Sequence, residues 1–227
     1  MKNMEENKAN IERNYVQSMK QLFYVLELNR DMIEGREEGE IVARAQSSEN
    51  IINSFDVIIR EDAITSSARY QPAAKNVRFF VMMIDSARLL ERMGDLLKAC
   101  LRLIESMLKK DETIRALLRE YTLLLLGKIE EIYGMYMEAF FHENCELAYQ
   151  ILEEDDKIDS FILELQQKVI QWIQESKGEV EALFLFWNLH KKYERFADHI
   201  IHLSINVIYL VKGENLRRKE LEKENRG

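Results

Sequence analysis

One proline and eight glycines are all that punctuate this 227-residue chain. So few breakers exclude an all-β fold built on many turns and favour long helices. Cysteine is nearly absent. Cys100 and Cys145 stand alone, without the paired spacing of a zinc site, and read as small buried hydrophobes in a reducing compartment. Positive charge is in deficit: 40 acidic against 32 basic residues give a net charge of −8, which argues against a nucleic-acid partner. Long apolar runs are missing too. "TLLLL" and "IIHLSINVIYLV" fall short of the roughly 18–20 residues that cross a bilayer. "MKNMEENKAN" lacks the apolar stretch of a signal peptide. A soluble cytoplasmic protein is the expectation.

What is present is helical pattern. Apolar residues make up 47 % of the chain, enough for a real core in one large domain or two small ones. Three helices are predicted at about 7–34, 38–69 and 73–109, and three more at about 113–141, 144–176 and 179–212. The first break is "EGREEGE" with Gly35 and Gly39, and the second is Pro72 in "RYQPAAKN", tolerated at a helix start but not inside one. In "LKKDET" Asp111 can cap the fourth helix, and Gly178 and Gly213 are the C-caps expected at "ESKGE" and "VKGEN". The chain ends on "NLRRKELEKENRG", read as a frayed helix or disordered tail. The fold class expected is therefore all-α: six long helices in two similar antiparallel three-helix bundles. Residues 1–110 form the first repeat, 111–213 the second and 214–227 a charged tail.

Glu91 and Asp95 in "LERMGDLLKAC" stand four residues apart, and Glu194 and Asp198 in "YERFADHIIHL" repeat the arrangement 103 residues later. Like charges one helical turn apart repel by a few tenths of a kcal/mol, so a chain that accepts this twice has a use for it. On a helical projection both pairs point away from the core stripes, Leu89, Leu90, Met93, Leu97, Cys100 and Ile104 in the third helix, Leu185, Leu189, Phe196, Ile200, Leu203, Val207 and Leu210 in the sixth. For the first pair a solvated face is the favoured reading on the residues alone, since Arg88, Arg92, Lys98 and Arg102 can balance it. For the second, His190, Glu194, Asp198 and His202 follow at four-residue steps, and these are ligand types that hold iron, manganese or zinc. Carboxylates sharing a cation are drawn to it more strongly than they repel each other. Asp155 and Asp159 on the fifth helix supply a further pair, while Glu49 and Asn53 on the second offer one carboxylate fewer. Trp187, Ile201, Ile205 and Ile208 lie on the same side as the second ridge, either packing against another surface or walling a site.

With those residues in view, the chain resembles the PhoU family of phosphate-uptake regulators. "LERMGDL" at 90–96 is similar to the family's doubled Glu-x-x-x-Asp signature, and "YERFADH" at 193–199 is a looser copy. "RYQPAAKNVRFF", "NCELAYQILEEDDKIDSFI" and "NVIYLVKGE" match further family segments in order, over about residues 10–214. The resemblance implies two three-helix bundles carrying divalent or trivalent metal ions at surface acidic motifs. Those motifs fall on Glu91 and Asp95, on Glu194 and Asp198, on Asp155 and Asp159, and on Glu49 with Asn53. Departures lie at Leu96 and Ala99 in the first copy, at Ala197 and His202 in the second, and at Asn53, where an acid is usual.

The resemblance also implies a non-enzymatic adaptor. It would link the ATPase subunit of a phosphate ABC transporter to a sensor histidine kinase and damp the phosphate-starvation response. It would reach the membrane only through those partners, and would form a homodimer with the Trp187/Ile201/Ile205/Ile208 face as candidate interface. No glycine-rich phosphate loop, oriented nucleophile or HExxH is present. Three other readings stand beside it. One is an accessory protein of another phosphate permease, and one is a bundle that binds no metal. The third, a di-iron carboxylate enzyme, needs Glu-x-x-His pairs that the chain lacks.

Overall fold

The computed structural model describes residues 4–36, 40–214 and 216; the charged tail, apart from positions 214 and 216, and Gly39 lie outside the described residues. Six helices carry the fold. They are α1 (Met4–Glu34), α2 (Ile41–Tyr70), α3 (Ala74–Leu108), α4 (112–141), α5 (Cys145–Gln174) and α6 (Val180–Lys212). Helix α4 is interrupted by a π-helical turn at Leu118–Thr122.

Local chemistry sets most boundaries. Asp111 accepts a hydrogen bond from the Ile114 amide at 3.0 Å and Asn144 from the Leu147 amide at 3.1 Å, each satisfying an otherwise orphaned donor of a first turn. Pro72 ends α2 two residues after Tyr70, and Gly213, at φ 73°, closes α6 in the left-handed conformation. The α5 C-terminus departs from expectation. Ser176, at φ 53°, makes the left-handed turn, and Gly178 lies beyond it in the loop.

Helices α1, α2 and α3 pack on one another, as do α4, α5 and α6, and short turns make successive helices antiparallel. Of the predicted core positions, Leu90, Met93, Leu97, Cys100 and Ile104 of α3, and Leu189, Phe196, Ile200, Leu203, Val207 and Leu210 of α6, are buried, while Leu89 and Leu185 are only half-buried against that core. The bundles then join along α3 with α6 and α1 with α4, giving one continuous core.

Polar groups fix that junction. The Tyr15 and Tyr136 hydroxyls lie 2.5 Å apart, and the Tyr133 hydroxyl donates to the Met19 carbonyl oxygen at 3.0 Å. The Tyr193 hydroxyl donates to Asn29 Oδ1 at 2.9 Å. Arg30 grips Glu130 through two parallel bonds of 2.8 and 2.6 Å, a geometry that adds direction as well as energy.

Because α6 touches α3, α4 and α5, it is apolar on more than one face. This corrects the interface expectation. Ile201 and Ile208 are buried within the single chain, and only Trp187 and Ile205 keep partial exposure. Among the described residues, no helix is long and apolar enough to cross a membrane.

Candidate functional site

Antiparallel packing of α5 on α6 sets two acidic pairs opposite each other, Asp155 and Asp159 against Glu194 and Asp198. Asp155, Asp159 and Asp198 each offer a carboxylate oxygen within 4.8 Å of the others. A hard cation bound at about 2.0–2.6 Å from its oxygens needs ligand separations of roughly 3–5 Å, so these three fit one ion. Asp198 and Asp155 are half-buried and Asp159 is exposed.

The carboxylates of this cluster disfavour one another's charged form. Burial, then the neighbouring charges of Asp155, Glu194 and Asp159, push Asp198 up to about 6, against a small opposing pull from Lys191. Burial and the charges of Asp159, Asp156 and Glu194 raise Asp155 as well. Glu194 is joined to Lys191 by an ion pair. The donors gathered here are all oxygen, which suits iron, manganese or magnesium better than zinc, whose sites favour nitrogen and sulfur.

His190 does not join this group, which corrects the four-residue ridge. The ring is wholly buried; its Nδ1–H donates to the Phe186 carbonyl oxygen at 2.8 Å, and Nε2 faces Thr122 Oγ1 at 3.4 Å beside the π turn of α4. Burial, only partly offset by the Phe186 and Tyr121 backbone, pushes it down to about 4. A neutral imidazole with both nitrogens engaged is a core residue. His202 is half-buried, with its ring 6.2 Å from that of His199, and it is not among the three grouped ligands.

The first bundle is furnished differently. Glu49 is buried, and the Lys98 ammonium lies 2.7 Å from it and 3.5 Å from exposed Asp95. Asn53 and Gln46 donate to the same Glu49 carboxylate at 2.9 and 2.5 Å. Burial alone would push Glu49 up, but Lys98, Asn53 and Gln46 outweigh it and hold the carboxyl below its ordinary value. A resident cation thus already serves Glu49 and Asp95, and these residues do not fit a metal ion. Glu91 is raised by burial, then by Asp95 and Asp56.

Asp56 escaped the sequence reading. The signal was available: it precedes Asp159 by 103 residues, the same offset that separates Glu91 from Glu194. In the structure it pairs with Arg60 at 3.3 Å.

Fold and site together define a class: a duplicated three-helix bundle whose conspicuous chemistry is an acidic cluster on its outer surface. Segments 19–104 and 122–207 each match the PhoU domain, and the chain belongs to the PhoU family. It is 29 % identical over 200 residues to the "Phosphate-specific transport system accessory protein PhoU homolog 1" of Thermotoga maritima, covering 87 % of this chain and 85 % of that one. The corresponding homolog of Pseudomonas aeruginosa is 26 % identical over 183 residues, covering 78 % and 74 %. The fold is similar to the crystal structure of PhoU from P. aeruginosa, with a TM-score of 0.85, 17 % identity and coverage of 93 % and 100 %. It is also similar to the PhoU regulatory protein from Streptococcus pneumoniae, with a TM-score of 0.80, 17 % identity and coverage of 93 % and 98 %.

Proposed function

We propose that this chain is a non-enzymatic accessory protein of phosphate transport, acting as an adaptor that restrains the phosphate-starvation response. The observation that carries the reading is the double match to the PhoU domain, together with relatives whose names place them in phosphate-specific transport. Its partners are the ATPase subunit of a phosphate ABC transporter and a sensor histidine kinase, and through them it works at the membrane surface from the cytoplasm.

Exposed apolar side chains support docking. Phe184 and Val180 at the start of α6, 60 % and 59 % exposed, stand beside Ile170 and Ile173 at the end of α5. Apolar residues grouped at one end of a bundle are suited to a partner's helices. A metal ion at Asp155, Asp159 and Asp198, with Glu194 alongside, would neutralise the cluster and tie α5 to α6. Iron or manganese fits this oxygen set. Zinc fits it less well.

The test is a deletion strain carrying a reporter for phosphate-starvation genes. In phosphate-rich medium the reporter should switch on, and wild-type expression there would overturn the regulatory role. Affinity capture with the tagged chain should recover the ABC transporter's ATPase subunit; recovery of a different phosphate permease would favour the alternative accessory role. Light scattering on the purified chain tests the homodimer.

A further inference from the structure

Elsewhere in this acidic chain Arg30, Arg36, Arg60, Arg115 and Arg119 sit in ion pairs. The seam between the bundles gathers four basic side chains from two helices. A groove of about 490 Å³ runs between α3 and α6, lined by Arg92, Asp95, Leu96 and Ala99 on one side and Lys192, Arg195 and His199 on the other. A smaller hollow of about 170 Å³ adjoins it, lined by Asp85, Arg88, Leu89, Arg92 and Asn206, with Arg92 common to both. Among the described residues, Arg88, Arg92, Lys192 and Arg195 form no ion pair. Asp95, the acid on the larger groove's wall, is shared with Lys98 at 3.5 Å. His199 adds a buried Nδ1 with no hydrogen-bond partner.

We infer that this seam is a binding site for a condensed phosphate group, a diphosphate or triphosphate. Three guanidinium groups and one ammonium converge here in a chain of net charge −8; Asp85, Asp95 and Glu91 stand beside them, and the basic groups outnumber these acids. Guanidinium forks match phosphoryl oxygens two at a time, and the ammonium adds a compact charge. The cations are spread over two adjoining hollows that share Arg92, an arrangement that suits a chain of two or three phosphoryl groups better than a single one. The volume lies within the range of small-molecule sites. No phenylalanine, tyrosine or tryptophan lines either hollow, so recognition falls on the phosphate chain more than on a base. Since the cations come from α3 of one bundle and α6 of the other, the ligand would bridge the two bundles. This reading is independent of the acidic cluster on α5 and α6.

Titration calorimetry on the full chain, in chelator and at low salt, tests it with three probes: sodium tripolyphosphate, ATP and orthophosphate. Tripolyphosphate should bind and orthophosphate should bind at least about tenfold more weakly, the cost of losing one charge-assisted contact. ATP binding equal to tripolyphosphate would identify the chain of phosphates as the whole ligand, and tighter ATP binding would add nucleoside contacts to it. The double variant R92A/R195A should lose about tenfold or more in affinity, and Lys192→Ala, which spares both arginines, should weaken binding several-fold and keep the inference testable if the double variant fails to fold. D155N/D198N should bind as the wild type does.

Absence of tripolyphosphate binding, binding of ATP alone, equal affinity for orthophosphate, or undiminished binding in folded R92A/R195A would each overturn the inference. Loss of binding in folded D155N/D198N would overturn it too, since neutralising acids outside the seam should not weaken an anion held within it.

Discussion

Lys98 Nζ lies 2.7 Å from Glu49 and 3.5 Å from Asp95, so in the first bundle a side-chain ammonium occupies the ground between α2 and α3 that a metal would need. The second bundle has Ile201 at the position 103 residues on, and there Lys191 pairs with Glu194 while Asp155, Asp159 and Asp198 face one another. Two copies of one motif have thus reached opposite solutions to the same repulsion.

Removing the ammonium should expose that difference. Lys98→Ala strands the buried Glu49 with only Asn53 and Gln46 as donors, and should cost about 2 kcal/mol in urea unfolding, less than a fully buried pair because those donors remain. The Glu49 carboxyl sits below its ordinary value in the wild type, so its contribution is present at neutral pH and lost as pH falls through the folded-state value. The variant should therefore show a shallower loss of stability in acid than the wild type. It should also bind additional metal on dialysis, read by elemental analysis.

Asp198 has the opposite sign. Its pKa is raised from 3.8 to about 6, so the folded state holds a proton that the unfolded chain releases, and stability falls as pH rises across that window. Asp198→Asn should remove this decline. In chelator, the urea midpoint of the variant should exceed the wild type at neutral pH and match it more closely near pH 4, the reference carboxyl value.

Metal uptake by Asp155, Asp159 and Asp198 must displace that proton. Affinity for manganese should therefore tighten from pH 5 to pH 7, on either side of the Asp198 value of about 6. Asp155→Asn or Asp198→Asn should weaken it by about tenfold or more, the scale of losing a charged ligand contact. Bound metal per chain, measured after dialysis, gives the answer, and an unchanged count in both variants would remove the site.

His190 supplies a contrasting test. A ring pushed down to about 4 stays neutral in the fold while the unfolded chain takes up a proton below about 6.5, so its contribution is held at neutral pH and lost as pH falls through that interval. His190→Gln should flatten this stretch of the stability profile and leave the metal content unaltered.

Most helix ends were legible in the sequence because Gly35, Pro72, Asp111, Asn144 and Gly213 punctuate them, while at the α5–α6 turn Ser176 took the left-handed position expected of Gly178. The π turn at Leu118–Thr122 was not, since "LREYT" has nothing in its composition to separate it from an ordinary helix. The His190 ridge failed for a geometric reason. Four residues advance about 400° around a helix axis, so each step drifts by about 40° and three steps by about 120°. Glu194 and Asp198 stay near one face, while His190 has rotated into the core. The apolar flank of α6 was correctly seen as needing a cover, but a sequence read one helix at a time does not reveal that α3 supplies it.

The junction pairs like with like. Helix α1 meets α4, the first helix of the other repeat, and α3 meets α6, the third. That is the pattern of an isologous contact with a pseudo-two-fold axis. A half-length chain with these surfaces would pair with itself in the same way, and two copies joined in one chain are free to differ at matching positions, as Lys98 and Ile201 do.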